Sequence, residues 1–426
     1  MLSIYFETFG CAANQNNTEI MKGLVRQAGL EITNNIEIAD IFVVNSCVVK
    51  EPTEKKVENR VFQLLKKKKP VILAGCMPEV RKFREKNLYL LGIHNIREIV
   101  KLIKAISESK RTREIIDRKD EVKLNLPKIP QNKLISITQI SEGCVGDCSF
   151  CITKLAKGNL FSYPESEIIK NIENDLKAGA KEIWLTSQDN AAYGLDRGER
   201  KIIELLRKII SLKGRFKIRL GMMNPNNVLP VLNEMIEIYK DEKIYKFLHL
   251  PLQSGSNKIL KLMKRKYSVK DFLKIIKKFR KNIPNITIAT DIIVGFPYET
   301  EKDFQQTLKI LREIKPDIFN ANKYWARKGT EAFLMKQIDA KIRIERAIKI
   351  MKEYKKHARE KLKNFVGKKM MVFVNEKKNA FLLARTDNYK IVQVLSLDKS
   401  LLGKNVEVKI LVVERNHLLG EVDETD

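Results

Sequence analysis

The segment EGCVGDCSFC, residues 142–151, holds three of the six cysteines of the chain: Cys144, Cys148 and Cys151. It follows an apolar run that reads as a β-strand and opens a series of six strand–helix units. Six units predict a partial version of the eight-unit parallel barrel, open on one side. The predicted strands are 135–140, 182–186, 216–221, 245–248, 287–294 and 318–323. Because active sites of such barrels gather at the carboxyl ends of strands, we expect the chemistry on this loop.

Two further units flank the predicted barrel. The first hundred residues alternate strands (3–8, 39–45 and 70–74) with helices (18–28, 53–67 and 97–106), which predicts an open parallel α/β sheet. After residue 365, short β-rich runs separated by polar turns predict a small antiparallel β-barrel or sandwich. The expected division is therefore 1–110, a charged linker at 111–133 that contains Pro127 and Pro130, the barrel at 134–362, and 363–422.

Composition narrows the class of protein. The 426 residues carry a formal net charge of +29, which favours a polyanionic partner such as a nucleic acid. Lys66–Lys69 and the run Lys261–Lys281 are candidate phosphate contacts, although heavy lysine usage and solvated helix faces are the alternative explanation. No run of about 18 apolar residues and no secretory signal is evident. We therefore expect a cytoplasmic protein with no membrane partner.

Three close-set thiolates on one loop suit a soft metal or an iron–sulfur cluster. A cubane cluster has four irons, so three thiolates leave one iron open to a ligand from outside the protein. The alternative is a structural zinc site, which normally uses a second pair of ligands elsewhere. The sequence offers no second C-x-x-C pair.

The other three cysteines, Cys11, Cys47 and Cys76, lie far apart in sequence, each just beyond a predicted parallel strand. The carboxyl ends of parallel strands line one crevice, where ligands bind. The three thiols are thus expected to converge on a second cluster that also has an open iron. The alternative is three buried cysteines that behave as small apolar residues.

The spacing C-x-x-x-C-x-aromatic-C, with Phe150 at the aromatic position, resembles the signature of the radical S-adenosylmethionine (SAM) superfamily. The two sets of three cysteines together resemble the methylthiotransferase family, and the resemblance covers nearly the whole chain. Segments such as NSCVVKEPTEKK, KFLHLPLQSGSNKILKLMKRKYS and ITIATDIIVGFPYETEKDF are most similar to the archaeal and eukaryotic branch that acts on threonylcarbamoyladenosine in tRNA.

This resemblance implies a methylthiotransferase N-terminal domain, a radical SAM core and a C-terminal RNA-binding TRAM domain. It implies that Cys11, Cys47 and Cys76 hold an auxiliary 4Fe–4S cluster, and that Cys144, Cys148 and Cys151 hold the SAM-cleaving one. The implied reaction is methylthiolation of C2 of N6-threonylcarbamoyladenosine at position 37 of tRNA. SAM would donate the methyl group and also yield the radical that removes hydrogen. An electron donor and a sulfur source, both unidentified, are the remaining implied partners.

Candidate SAM contacts lie at the predicted barrel mouth. Besides Phe150 they are Gln188, Asp189, Gln253, Val294 and Gly295. For each polar residue of this set, ordinary hydrogen bonding within a loop is the alternative.

Three alternative functions stay open at this point. One is the same chemistry on a ribosomal protein, because the segment LTSQDNAAYGLD is also similar to the branch of the family that modifies such a protein. Another is a radical SAM enzyme whose auxiliary cluster relays electrons. The third is a non-catalytic iron–sulfur protein that binds RNA.

Overall fold

The computed structural model describes residues 2–414 and 417–423. The N-terminal unit is a six-stranded sheet of order β2-β1-β3-β4-β5-β6 in which all neighbours pair in parallel. Its strands are β1 (Ser3–Thr8), β2 (Glu31–Thr33), β3 (Ile41–Ser46), β4 (Val71–Gly75), β5 (Leu88–Gly92) and β6 (Glu114–Ile115). Its helices are α1 (Ala12–Gln27), α2 (Glu51–Leu65) and α3 (Ile99–Ser107). Strands β3 and β4 are buried throughout, as expected for strands covered on both faces.

Residues 111–133, expected as a linker, are partly integrated into the fold. Strand β6 lies in this segment and pairs with β5, so the first sheet extends beyond residue 110. Further along, Lys123 is fully buried and Leu124 belongs to the barrel core. A two-residue strand has no readable periodicity, which is why sequence patterns do not reveal it.

The central unit is an incomplete parallel barrel. Two three-stranded sheets, β7-β10-β11 and β12-β13-β14, are joined by a single parallel bridge between Ile218 and Ile244. The strands are β7 (Ile135–Gln139), β10 (Glu182–Thr186), β11 (Lys217–Leu220), β12 (Phe247–His249), β13 (Thr287–Val294) and β14 (Ile318–Lys323). A short hairpin of β8 (Ser141–Glu142) and β9 (Phe161–Ser162) flanks the cysteine loop.

Nine helices of the described chain accompany this barrel: α4 (Ile152–Lys157), α5 (Glu165–Lys177), α6 (Ile202–Ser211), α7 (Pro225–Val228), α8 (Leu232–Lys240), α9 (Asn257–Leu262), α10 (Val269–Asn282), α11 (Glu301–Ile314) and α12 (Ala340–Lys363). Capping boxes fix where two of them begin, Ser268 with Asp271 on α10 and Thr300 with Asp303 on α11. The largest apolar core lies between these helices and the strands.

The C-terminal unit is a closed five-stranded barrel of order β15-β16-β17-β19-β18. Its strands are β15 (Lys369–Lys377), β16 (Leu382–Thr386), β17 (Ile391–Val394), β18 (Asn405–Glu414) and β19 (His417–Val422). The predicted mixed α/β architecture with a small β-barrel is confirmed. Strands β17 and β19 run in the same direction and close the barrel as a parallel pair.

No helix within the described ranges has both the length and the apolar character needed to cross a membrane.

Candidate functional site

Cys11, Cys47 and Cys76 meet at the carboxyl edge of the N-terminal sheet. They follow β1, β3 and β4, and the strand order reverses between β1 and β3. Open parallel sheets bind ligands at such a reversal. The thiol of Cys76 interacts electrostatically with those of Cys47 and Cys11, and Cys47 also interacts with Cys11. The structure thus brings together three thiols that the sequence separates by up to 65 positions.

Glycines directly before two of these cysteines allow the close approach. A Cβ atom at Gly10 would lie 2.9 Å from the Cβ of Cys47, and one at Gly75 would lie 2.3 Å from Oδ1 of Asn45. Both glycines also have positive φ angles, +142° and +94°. Any side chain at either position would push the strand ends apart.

A buried polar network supports this edge of the sheet, and sequence reasoning missed it. Asn14 accepts a hydrogen bond from the Cys11 thiol at 3.2 Å, and its Nδ2 donates to the carbonyl of Ser46 at 2.7 Å. Asn45 donates to the carbonyl of Asn14 at 2.7 Å and to Thr18 at 2.9 Å. The available signal was the repeated pairing of asparagine and cysteine, in GCAAN after β1 and in NSC at the end of β3.

The loop of Cys144, Cys148 and Cys151 lies at the carboxyl end of β7, as its position in sequence predicts. The backbone N–H of Gly146 donates to the Cys144 Sγ at 3.2 Å, and a Cβ at this glycine would lie 3.3 Å from that sulfur and 3.8 Å from the Sγ of Cys148. The loop therefore wraps closely around its thiols. Such backbone donors stabilise thiolate ligands of a cluster.

Both sets of thiols have the chemistry of cluster ligands. Burial raises the pKa of Cys76 to about 12 and that of Cys144 to about 11, and a bound cation would favour the ionised thiolates. In the described part of the chain, no three His, Cys, Asp or Glu side chains are grouped so that they could hold one metal ion. A cluster needs a wider arrangement of ligands than a single ion does, because each thiolate binds a different iron.

Arg265 is a second residue that the sequence did not single out. Its Nη1 donates to the Cys148 Sγ at 3.2 Å, and its Nε donates to the Tyr267 hydroxyl at 3.2 Å. Its Nη2 contacts Oδ1 of Asn224. The guanidinium places a fixed positive charge beside a cysteine of the loop. It lies in the segment KLMKRKYS, which the resemblance covers.

The candidate SAM contacts fall into two groups. Gln188 and Gln253 each have a buried side-chain Oε1 without a hydrogen-bond partner in the described chain, which fits side chains that bind a ligand. Asp189 accepts hydrogen bonds from the backbone N–H of Asn224 at 3.0 Å and from the side chains of Asn224 and Asn227 at 2.8 and 2.7 Å. Burial raises the pKa of Asp189, and these three donors oppose that shift. Asp189 therefore supports neighbouring loops.

Phe150, Val294 and Gly295 shape the apolar side of the mouth. The ring of Phe150 packs edge to face against Phe296, with 6.3 Å between the ring centroids. Val294 is fully buried at the end of β13. Gly295 has a φ of +70°, and a Cβ there would lie 2.4 Å from the Cγ of Arg343, so only glycine fits between β13 and α12.

Helix α4 joins the two sets of cysteines. It begins directly after Cys151, yet Ile152 and Ala156 pack in the apolar core of the N-terminal unit, which also contains Cys76. A second connection is ionic: Arg327 beyond β14 donates to the buried carboxylate of Glu54 on α2 at 2.6 Å. The two cysteine sites are therefore held on one continuous packing surface.

Three charged side chains lie buried along this surface: Lys123, Glu142 and Lys157. The Nζ atoms of Lys123 and Lys157 lie 2.5 and 3.4 Å from the two carboxylate oxygens of Glu142. Burial opposes ionisation of Glu142, but the two ammonium groups hold its pKa at about 2. We call these three residues the buried charge trio.

Each of the three units matches a known family. The Radical SAM superfamily matches residues 138–311, the TRAM domain matches 363–422, and Uncharacterized protein family UPF0004 matches 3–90. Among solved structures, the radical SAM methyltransferase TsrM from Kitasatospora setae is similar with a TM-score of 0.56 and 12% identity, over 76% of this chain and 73% of that one. At this identity the similarity concerns the fold alone.

Full-length relatives are much closer in sequence. Proteins of Archaeoglobus fulgidus and Methanocaldococcus jannaschii, each named probable threonylcarbamoyladenosine tRNA methylthiotransferase, are 39% and 40% identical over 99% of this chain and 99% and 97% of their own. The human threonylcarbamoyladenosine tRNA methylthiotransferase is 35% identical over 98% of this chain and 73% of its own. The predicted relationship is confirmed: this chain belongs to the threonylcarbamoyladenosine tRNA methylthiotransferase family.

Proposed function

We propose that this chain is a radical SAM enzyme that adds a methylthio group to C2 of N6-threonylcarbamoyladenosine at position 37 of tRNA. The observation that carries the proposal is the convergence of two sets of three cysteines on units joined by α4. The full-length similarity to methylthiotransferases of archaea and eukaryotes supports the same reaction and substrate. The proposed domains are 1–110, 134–362 and 363–422, with a connection at 111–133 that also supplies β6 to the first sheet.

The six cysteines are the proposed ligands of two 4Fe–4S clusters. When bound, the clusters and SAM would supply one-electron chemistry and the methylthio group, which side-chain acids and bases cannot provide for an aromatic C–H bond. The chain contributes the thiolates and the donors around them. Gly146 and Arg265 donate to the sulfur atoms of the loop after β7, and Asn14 contacts the Cys11 thiol. These contacts orient the thiols and tune their charge.

For SAM itself we propose direct contacts from Gln188 and Gln253, whose amide oxygens are buried without a partner in the described chain. Phe150, Val294 and Gly295 would form the apolar wall. Asp189 would act indirectly, because its carboxylate holds Asn224, which in turn contacts Arg265. The set thus combines ligand-binding residues with residues that position them.

The proposed substrate is a polyanion, and the charge of the chain suits it. The net charge is +29, and Lys270, Lys274, Lys277, Lys278 and Lys281 on α10 line an open groove. Phosphate contacts of this kind give affinity, while the base must leave the stacked loop to reach a buried site. Because the substrate is tRNA, we also propose a cytoplasmic enzyme.

The decisive experiment is mass spectrometry of nucleosides in tRNA from cells with and without this gene. We expect 2-methylthio-N6-threonylcarbamoyladenosine to disappear and its precursor without sulfur to accumulate. Cys76→Ala and Cys144→Ala should each fail to restore the product, whereas the exposed variant Lys208→Met should restore it. An unchanged profile would refute the tRNA assignment, and methylthiolation of a ribosomal protein would then be tested in the same cells.

A second experiment tests whether the chain holds two clusters or one. Iron per purified, reconstituted chain should fall by about half in Cys11→Ala, Cys47→Ala or Cys76→Ala, and nearly to zero when Cys144, Cys148 and Cys151 are also replaced. An auxiliary cluster that only relayed electrons would give the same iron content, but a nucleoside product without new sulfur. A non-catalytic protein would release no 5′-deoxyadenosine from SAM under reducing conditions.

A further inference from the structure

An open groove lies at the edge of the central barrel, and none of the six cysteines or the candidate SAM contacts lines it. It has a volume of about 720 Å³ and lies between the last barrel strand, β14, and helix α12. Strand β14 is the outer strand of the sheet β12-β13-β14, so the groove lies on the side where the barrel is incomplete. We call it the edge groove; its lining includes Lys50, Lys323, Trp325, Ile348, Met351 and Lys355.

The edge groove combines an apolar wall with an excess of positive charge. Ile344 and Ile348 stand one turn apart on α12 and are 44% and 64% exposed, so this wall faces the open groove. No carboxylate of the described chain lines the groove, whereas four lysines do: Lys50, Lys323, Lys352 and Lys355. A site of this kind suits a ligand that has both an apolar part and an anionic group.

Lys323 is held in place without a counter-ion. Its Nζ lies 4.2 Å from the ring centroid of Trp325, which is a cation–π contact. Among residues 2–414 and 417–423, no group forms a hydrogen bond or an ion pair with this ammonium. The face of the ring attracts the charge but is not a conventional acceptor for the three N–H donors. The ammonium can therefore donate to an anion in the groove.

The edge groove lies beside the auxiliary cysteines. Lys50, which lines it, follows Cys47 by three positions, and Lys323 ends β14 at the barrel mouth. The Lys50 ammonium also interacts electrostatically with the carboxylate of Asp291 on β13, which offsets part of its charge. Lys323 has no such partner in the described chain. A purine whose C2 reaches the auxiliary site would place its N6 substituent near this groove, because C2 and C6 belong to one ring.

We propose that Lys323 is a specificity-determining residue that binds the carboxylate of the threonylcarbamoyl group on the substrate nucleoside. The inference rests on the proposed function, because it takes that nucleoside as the substrate. The ammonium donates to the carboxylate in a charge-assisted hydrogen bond, while the Trp325 ring holds the ammonium. The methyl group of the threonyl side chain packs on the apolar wall of the edge groove.

The test compares two RNA hairpins that differ only in this carboxylate. Both have the anticodon stem and loop of a tRNA that contains N6-threonylcarbamoyladenosine, and in one of them a neutral carboxamide replaces the carboxylate. Dissociation constants for the full-length, reconstituted enzyme are measured by fluorescence anisotropy at one fixed salt concentration. We expect the wild type to bind the carboxylate hairpin about tenfold more tightly than the carboxamide hairpin.

The variants of Lys323 remove or keep the charge. Lys323→Met should bind the two hairpins with equal affinity, because no cation then pairs with the carboxylate. Lys323→Arg keeps the positive charge and should retain part of the preference, since its guanidinium also donates to carboxylates.

The control Lys355→Met lies in the same groove but at its other end. Helix α12 runs antiparallel to β14, because Arg343 donates to a backbone carbonyl just beyond the end of β14 and Tyr354 to one just before its start. Lys355 is therefore remote from Lys323. Lys355→Met should weaken binding of both hairpins by the same factor, as loss of a phosphate contact would, and should keep the tenfold preference.

Two results would overturn this inference while leaving the proposed function intact. One is a wild type that binds the two hairpins equally well. The other is a tenfold preference that persists in Lys323→Met, which would show that this lysine contacts only the RNA backbone. The proposed function has its own readout in the same samples: a wild type that binds the carboxylate hairpin but adds no methylthio group to it would overturn that function.

Discussion

Arg265 donates a hydrogen bond from Nη1 to the Sγ of Cys148 at 3.2 Å, although 117 residues separate them in sequence. The guanidinium is held at two further points, by Tyr267 and Asn224, and its planar donor array suits all three contacts at once. A fixed positive charge therefore lies beside one sulfur of the loop that holds Cys144, Cys148 and Cys151.

Replacing this arginine should slow cleavage of SAM. Without the charge-assisted hydrogen bond to Cys148, Arg265→Met should reduce the rate of 5′-deoxyadenosine formation about tenfold, which corresponds to about 1.4 kcal/mol. The rate is measured with dithionite-reduced enzyme of equal iron content. Arg280→Met, whose guanidinium contacts carbonyl oxygens at the end of α11, should retain the wild-type rate. Equal rates in the two variants would show that the contact has no role in the reaction.

Two glycines of the same loop region provide a matched pair. Gly143 and Gly158 have nearly equal φ angles, +70° and +72°, but a Cβ at Gly143 would lie 1.7 Å from the carbonyl oxygen of Asn159, while one at Gly158 meets nothing within 4 Å. Gly158→Ala should lower the free energy of unfolding by about 1–3 kcal/mol, because its φ of +72° and ψ of −152° lie in a region that glycine alone adopts readily. Gly143→Ala should lower it by more than about 3 kcal/mol, because the hairpin must open. Chemical denaturation followed by circular dichroism measures both, and similar losses would contradict the steric explanation.

The ion pair between Glu54 of the N-terminal unit and Arg327 of the central unit should contribute far more to the free energy of unfolding than an exposed pair does. Glu54 is 2% exposed and accepts from Arg327 at 2.6 Å and from Arg81 at 2.9 Å. Glu54→Gln leaves the buried Arg327 without its counter-charge and should lower the free energy of unfolding by about 3–5 kcal/mol. The control Glu37→Gln breaks an exposed pair with Lys67 and should leave the free energy of unfolding nearly unchanged. A loss below 1 kcal/mol for Glu54→Gln would argue against this role.

Long, strongly patterned strands could be predicted from sequence at their observed bounds. Ser3–Thr8, Glu182–Thr186, Thr287–Val294 and Ile318–Lys323 are such strands, because continuous apolar or alternating runs define them. The start of helix α1 could not be predicted from the sequence. The prediction placed it at Thr18, whereas the helix begins at Ala12, because tertiary contacts of Asn14 with the next strand outweigh the low helix propensity of asparagine.

The site was predictable where topology fixes it and unpredictable where side chains cross between units. The carboxyl ends of parallel strands explain why Cys11, Cys47 and Cys76 meet. The trio residues Lys123 and Lys157 look like ordinary surface lysines in the sequence, because nothing local indicates that α4 docks into the first unit. Only the packing of Ala156 beside Cys76 makes these charges part of the site.

The contact between the small barrel and the central barrel gives a last prediction. Tyr389, which lies between β16 and β17, packs against Tyr245 and Phe247 at the amino-terminal side of the central barrel, with ring centroids 4.9 and 4.8 Å apart. Tyr389 is 7% exposed, so Tyr389→Ala creates a cavity and should lower the free energy of unfolding by about 3–5 kcal/mol. Tyr389→Phe keeps the ring and should lie within about 1 kcal/mol of wild type. If the C-terminal barrel were attached only by its linker to α12, denaturation curves of Tyr389→Ala would show an unchanged central unit. Limited proteolysis would then release the small barrel equally fast from the wild type, Tyr389→Ala and Tyr389→Phe. We expect instead that Tyr389→Ala destabilises both units together and accelerates that release, because the aromatic contact couples the proposed RNA-binding barrel to the unit that carries the chemistry.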